Sequence, residues 1–281
     1  MVASDVEATP VGTKADPLTL LYENQDIPHL PLPQPLTDFY DGDLAFPTPC
    51  LYANFVSSID GVATLGPEYP SSGSTISGRA PADRAVMALL RACAHAVLIG
   101  AGTLRASPRH LWLPDHVYPT AAAAFATVRN DRHLQKRPEL VVVTATGDVP
   151  PDHPAIKSGA LIATTKAGAA TLRGRLPETC TVVSLADGPT VPAPSLIQAL
   201  HDRGHTTILS EAGPRLLAQL VENALLDELF LTIAPVLAGR DHVARHGLIA
   251  GLELLPDRRE TGELLSVRSQ GAYLFLRYGL G

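Results

Sequence analysis

Residue type and spacing point to chemistry most directly at two glycine-bearing turns. Gly100-Ala101-Gly102-Thr103 follows the apolar run Ala96 to Ile99, and Glu211-Ala212-Gly213-Pro214 follows a run ending at Ser210 and opens a helix. Both stand at the carboxyl ends of expected strands, where open α/β sheets bind ligands. A glycine ahead of a helix lets backbone N–H groups approach an anion such as a pyrophosphate. Glycine at such a turn serves packing alone equally often. The residue three beyond Gly102 is Arg105, so GxGxxG is not met and an ordinary Rossmann dinucleotide site is disfavoured. Ser57-Ser58-Ile59-Asp60-Gly61 is a further turn, in which Asp60 either bonds its own backbone or faces a ligand. The ten histidines are scattered with no HxH or HExxH pair, so no metal site is expected. Cys50, Cys93 and Cys180 are far apart in apolar stretches and read as core thiols.

The elements that must position these turns alternate short β-rich runs with helices. Strands are expected at 51–56, 96–99, 140–144, 160–164, 180–184, 206–210, 229–233, 264–269 and 272–278, with Gln270-Gly271 as a hairpin turn. Helices are expected from Pro81 through Cys93, at 121–126, 167–172, 195–203, with Gly204 just past its end, and 215–222. The pattern predicts an α/β fold: a mostly parallel sheet flanked by helices and finished by an antiparallel C-terminal edge. Residues 1–48 are punctuated by prolines at 10, 17, 28, 31, 33, 35 and 47. They read as a tail to about Asp16 and then an extended arm, without helix or central strand, docked through Leu18, Leu20, Leu21, Leu30 and Leu32. The remainder, 49–281, reads as one domain. Lys+Arg 22 against Asp+Glu 28 gives a net charge of −6, which argues against a nucleic-acid surface. No run spans a bilayer and the start lacks a secretory signal, so a cytoplasmic protein is expected.

Six blocks in order resemble one family. Asn54-Phe55-Val56-Ser57-Ser58-Ile59-Asp60-Gly61, then Ile76-Ser77, then Leu89-Leu90-Arg91 leading into Ala96 to Thr103, is similar to the reductase domain of the bifunctional riboflavin-biosynthesis deaminase/reductase. The later Ser210-Glu211-Ala212-Gly213, Leu225-Leu226-Asp227-Glu228-Leu229 and Pro235-Val236-Leu237-Ala238-Gly239 resemble that domain's Glu-Gly-Gly helix, Val-Asp-Glu strand and Pro-x-Leu-x-Gly turn. The resemblance covers about Pro49 to Tyr278 and implies a dihydrofolate-reductase-like fold, NADPH as hydride donor and a homodimer. The zinc deaminase domain of that family is absent, so a stand-alone reductase is implied.

The resemblance also assigns roles. Gly61, Gly100, Gly102 and Thr103 would hold the cofactor's nicotinamide end, Ala212 and Gly213 its pyrophosphate, and Thr144 and Thr146 its 2′-phosphate, with Arg173 and Arg175 as rival phosphate partners. No acid closes the strand at Thr144, which favours the 2′-phosphate over a free ribose hydroxyl. Hydride transfer to C=N needs a group near the nitrogen to hold the proton, and Asp60 and Glu211 are the candidate catalytic carboxylates. Asn54, Ser77, Arg105 and Arg109 are candidate substrate contacts. Asn54 stands where the family usually has lysine, and Ser107 where it usually has an acid. Asp83 and Arg84 are expected in an exposed first helical turn. The reading is an NADPH-dependent reductase of a pyrimidine or pteridine-type substrate, nearest to 5-amino-6-(5-phosphoribosylamino)uracil reductase. A dihydropteridine (dihydrofolate) reductase and a non-catalytic NADPH-binding protein are its alternatives.

Overall fold

The computed structural model describes residues 14–66, 69, 71–241 and 245–280. The expected tail lies outside these apart from its last residues. Ten strands form one sheet: β1 (Thr19–Glu23), β2 (Cys50–Ser58), β3 (Ala96–Gly100), β4 (Glu139–Thr144), β5 (Leu161–Thr165), β6 (Thr181–Ala186), β7 (Thr207–Ser210), β8 (Glu228–Ala234), β9 (Glu263–Gln270) and β10 (Tyr273–Gly279). Between them lie α1 (Gln34–Tyr40), α2 (Ser72–Ile76), α3 (Pro81–Cys93), α4 (Ala101–Ala106), α5 (Pro114–Val117), α6 (Ala122–Asp131), α7 (Pro154–Lys157), α8 (Lys166–Leu172), α9 (Ala193–Asp202) and α10 (Pro214–Glu222). The order across the sheet is β1-β9-β10-β8-β2-β7-β3-β4-β5-β6. It is parallel from β8 to β6 and antiparallel from β1 to β8. This is the expected mixed sheet with an antiparallel edge.

β3, Ala96-Val97-Leu98-Ile99, is wholly buried. An apolar run without alternation is what a strand covered on both faces requires. On one face Leu89, Leu90 and Cys93 of α3 pack with Val97 and Ile99. On the other, Leu196 and Leu200 of α9 and Leu217 and Leu220 of α10 pack with Leu98, Ile208 and Leu51. The first turns of α4 and α10 therefore emerge side by side, from the carboxyl ends of β3 and its neighbour β7.

Three expectations are corrected. The final hairpin turns at Gly271-Ala272, one residue later than read, since Gln270 pairs with Tyr273 and Gly271 takes the left-handed φ of 57°. Residues 14–48 are not simply extended: Pro35 sits in the first turn of helix α1, where a missing N–H costs nothing, and β1 pairs antiparallel with β9. Leu18 and Leu32 of this arm are buried as expected, but Leu21 and Leu30 face solvent, and Leu36, Phe39, Tyr40 and Leu44 carry the packing instead. Of the cysteines, Cys50 and Cys93 are buried and Cys180 is half-buried. No described helix is long and apolar enough to cross a membrane.

Candidate functional site

One cleft of about 1770 Å³ opens over the carboxyl ends of β2, β3, β4 and β7. That volume exceeds an ordinary small-ligand pocket and suits a large ligand beside a small one. It gathers Asn54, Ser77, Gly100, Gly102, Thr103, Arg105, Arg109, Thr144, Thr146, Glu211, Ala212 and Gly213, residues spread over most of the chain. Its lining carries six arginines, 79, 84, 91, 105, 109 and 215, against the two acids Asp83 and Glu211. In a chain of net charge −6, the cleft is locally basic and draws anions.

The glycines separate into two kinds. Gly147 takes φ 74° and an added Cβ would meet the Gly168 carbonyl oxygen at 2.5 Å, so it is fixed by the chain's own packing. At Gly100 and Gly102 an added Cβ meets nothing within 4 Å, and at Gly213 only the Thr103 hydroxyl at 3.9 Å. None of these three is held at positive φ. Neither strain nor internal packing demands glycine there. Their open side lies on the cleft, and Gly213 caps α10 with no side chain bonded to the first turn, which leaves a cradle for a phosphate-bearing ligand.

Glu211 is clamped. Nε and Nη2 of Arg91 donate to its two carboxylate oxygens at 2.8 and 2.6 Å, with Arg91 buried behind it. A bidentate pair of this kind offsets the charge of the carboxylate and fixes its orientation. Arg91 Nη1 is buried and finds no partner among the described residues. Thr144 is buried, and its hydroxyl accepts the Gly147 N–H at 3.2 Å, whereas Thr146 is exposed. Arg105 donates to the carbonyl of Asp148 at 2.7 Å and pairs with its carboxylate. Arg109 is exposed at the cleft. Arg173 and Arg175 are exposed and do not line it.

Asp60 and Gly61 lie outside the cleft lining, which corrects the placement expected for them. The Asp60 carboxylate is exposed and accepts the N–H groups of Ala238 and Gly239 at 3.0 and 2.7 Å. Those bonds, with the Ser58 hydroxyl, hold it down at about 2, so it is ionised at neutral pH and clasps the Pro235 to Gly239 turn.

Asp83 corrects the reading in the opposite direction. It is 5 % exposed and lines the cleft. Burial pushes it up to about 6, against hydrogen bonds from the Thr232 and Ser77 hydroxyls, with the Glu211 charge adding to the rise. Arg84 donates Nε and Nη2 to the Val117 carbonyl instead of facing solvent. Two further residues escaped sequence reading. His110 is pushed down to about 2 by burial and by Arg91, so it stays neutral. Trp112 packs edge-on against it at 4.9 Å, buried and with φ 54°. Only the proximity of His110 and Trp112 to Arg109 in the chain offered a signal. Among the described residues no group of three His, Cys, Asp or Glu is placed to hold a metal.

The sequence profile of the RibD C-terminal domain matches residues 49–254, most of the chain. The chain belongs to the RibD C-terminal domain family. The match ends before β9 and begins after α1, so the arm and the last hairpin lie outside the family profile. No curated protein matches the chain. Among solved structures, a pyrimidine reductase-like protein of Corynebacterium diphtheriae is 22% identical over 83% of this chain and 92% of its own, with TM-score 0.61. The deaminase/5-amino-6-(5-phosphoribosylamino)uracil reductase of Thermotoga maritima is 14% identical, over 88% of this chain and 59% of its own, with TM-score 0.60. A riboflavin biosynthesis reductase of Saccharomyces cerevisiae is 13% identical, over 89% and 96%, with TM-score 0.54. At these identities the likeness speaks for the fold alone: a dihydrofolate-reductase-like, RibD reductase-type domain spanning about three-fifths of the bifunctional protein.

Proposed function

We propose that the chain is an NADPH-dependent reductase of a pyrimidine-type substrate, nearest to the reduction of 5-amino-6-(5-phosphoribosylamino)uracil in riboflavin biosynthesis. The carrying observation is the set of three glycines, Gly100, Gly102 and Gly213, whose open sides face a basic cleft and answer to no need of the chain itself. In this reading the Gly213 turn takes the pyrophosphate, Gly100, Gly102 and Thr103 the nicotinamide end, and Thr144 and Thr146 the 2′-phosphate. The bound dinucleotide supplies a hydride. The protein positions the acceptor, excludes water and keeps the Arg91–Glu211 ion pair as a fixed dipole at the cleft. The buried Trp112 walls it.

The test is a dinucleotide titration followed by Trp112 fluorescence, together with NADPH oxidation in the presence of 5-amino-6-(5-phosphoribosylamino)uracil. NADPH should bind more tightly than NADH, and turnover should require the pyrimidine. Gly213→Val should keep native circular dichroism, because the added Cβ clears every neighbour by 3.9 Å, and lose at least ten-fold in NADPH affinity. Equal affinity for the two dinucleotides in wild type, or unchanged NADPH binding by Gly213→Val, counts against the reading. The same reading includes a homodimer, for which the half-exposed apolar face of β8, β9 and β10 provides the surface.

A further inference from the structure

The wall that α3 and α5 give the cleft reaches back to the N-terminal arm. Arg84, Met87 and Arg91 line the cleft from one stripe of α3, at i, i+3 and i+7, and Trp112, His116 and Val117 line it from α5 and the loop before it. Val117 ties the two together, its carbonyl accepting Nε and Nη2 of Arg84 at 3.1 and 2.8 Å. Those bonds set the plane of the guanidinium and leave Nη1 without a protein acceptor among the described residues. The next residue, Tyr118, is buried, and its hydroxyl accepts the backbone N–H of Ala15 at 2.7 Å. Ala15 and Leu18 are buried in the same core as Trp112, Val117 and Tyr118. A buried backbone N–H needs an acceptor, and this one finds it 103 residues away, on the segment that carries the wall.

We propose that the Ala15–Tyr118 hydrogen bond is a positioning contact of the substrate site: the arm, which lies outside the family profile, sets where the Val117 carbonyl stands and so how Arg84 and the α5 wall meet the substrate. The inference rests on the reductase reading. The glycine turns that this reading gives to the dinucleotide contain none of these residues, so the contact acts on the second, smaller ligand. Arg84, His116 and Val117 face that ligand across the cleft. Ala15 and Tyr118 act only through them, by holding the wall in one place. The arm is fastened elsewhere by Arg268, on the Tyr40 carbonyl, and by Arg277, on the Ala45 carbonyl. Loss of the Ala15 bond therefore leaves the arm attached and frees only its first described residues.

Tyr118→Phe removes the acceptor and keeps the ring, and Ala15→Pro removes the donor from the other end. Each should raise KM for 5-amino-6-(5-phosphoribosylamino)uracil about five-fold, the worth of one buried hydrogen bond, with kcat and the NADPH dissociation constant within about two-fold of wild type. The double variant should show the same KM as either single one, because both remove one bond, whereas independent losses would multiply. Trp112, the single tryptophan, stands on the same wall and reports the coupling without substrate: acrylamide should quench it more strongly in Tyr118→Phe than in wild type. A folded Tyr118→Phe protein with wild-type KM or wild-type quenching overturns the inference. So does a multiplied effect in the double variant, or a fall in kcat and NADPH affinity alongside the rise in KM. Should Ala15→Pro not fold, Tyr118→Phe decides alone. Failure of the reductase reading has a different signature: wild type oxidises no NADPH with the pyrimidine, and the quenching comparison still decides whether the arm holds the wall.

Discussion

Asp83, buried in the first turn of α3, costs stability at neutral pH. Its carboxyl sits at about 6 in the fold against 3.8 ordinarily, so between those values the folded state holds a proton that the unfolded chain has lost. Stability attributable to this group therefore falls as pH rises from about 4 to 6, by about 3 kcal/mol for two pH units. Asp83→Asn removes that dependence. The variant should be more stable than wild type at pH 7 in urea unfolding, with the difference shrinking at pH 4; an equal difference at both pH values would contradict the burial argument. This residue was illegible in the sequence for a physical reason. An Asp in the first turn after Pro81 is what the helix dipole favours at a surface, and residues far along the chain, Glu211, Thr232 and Tyr273, surround it in the fold. The partnership of Arg91 with Glu211 was hidden likewise, because 120 residues separate them. Gly100, Gly102 and Gly213 were legible because a glycine closing a strand is visible locally, although only the structure distinguishes their open sides from the packed Gly147.

At the scale of elements, sequence pattern places the sheet strands after Cys50 to within two residues at either end, since a short buried β-branched run such as Val141-Val142 suits a strand covered on both faces. In the arm, proline density disguises a helix, since Pro35 fits the first turn of α1. What fastens the arm is tertiary and invisible locally. Arg268, 1 % exposed, donates Nε to the Tyr40 carbonyl at 2.7 Å and Nη2 to Glu23 at 2.7 Å, and lies 3.9 Å over the Tyr40 ring. Arg277 pairs with Glu228 and donates to the Ala45 carbonyl at 2.7 Å. Arg268→Met keeps most of the volume but leaves Glu23 and the Tyr40 carbonyl without their donor. It should destabilise by about 3 kcal/mol, and limited proteolysis should then cut between Asn24 and Gln34 before it cuts elsewhere. An intact arm under those conditions would show that the apolar contacts of Leu36, Phe39 and Leu44 suffice.

For the whole molecule, the antiparallel half of the sheet has two unlike faces. On the arm side Phe230, Thr232, Arg268, Phe275 and Arg277 are all buried. On the other, register places Val267 beside Leu276, Leu276 beside Leu231 and Leu231 beside Phe55, with Leu274 beside Ile233. All six are incompletely buried, Leu274 at 38 %. An edge-to-edge dimer through the final hairpin, the arrangement its apolar alternation invites, is obstructed because β1 covers the free edge of β9. The face remains, and an uncharged apolar row suits a copy of itself, since a two-fold axis sets like against like without repulsion. Sedimentation at micromolar concentration should give twice the chain mass. Leu276→Asp places a charge at the centre of the row and should give the single-chain mass, with NADPH affinity retained because Leu276 does not line the cleft. A wild-type monomer would rule the dimer out, and a Leu276→Asp dimer would place the contact elsewhere.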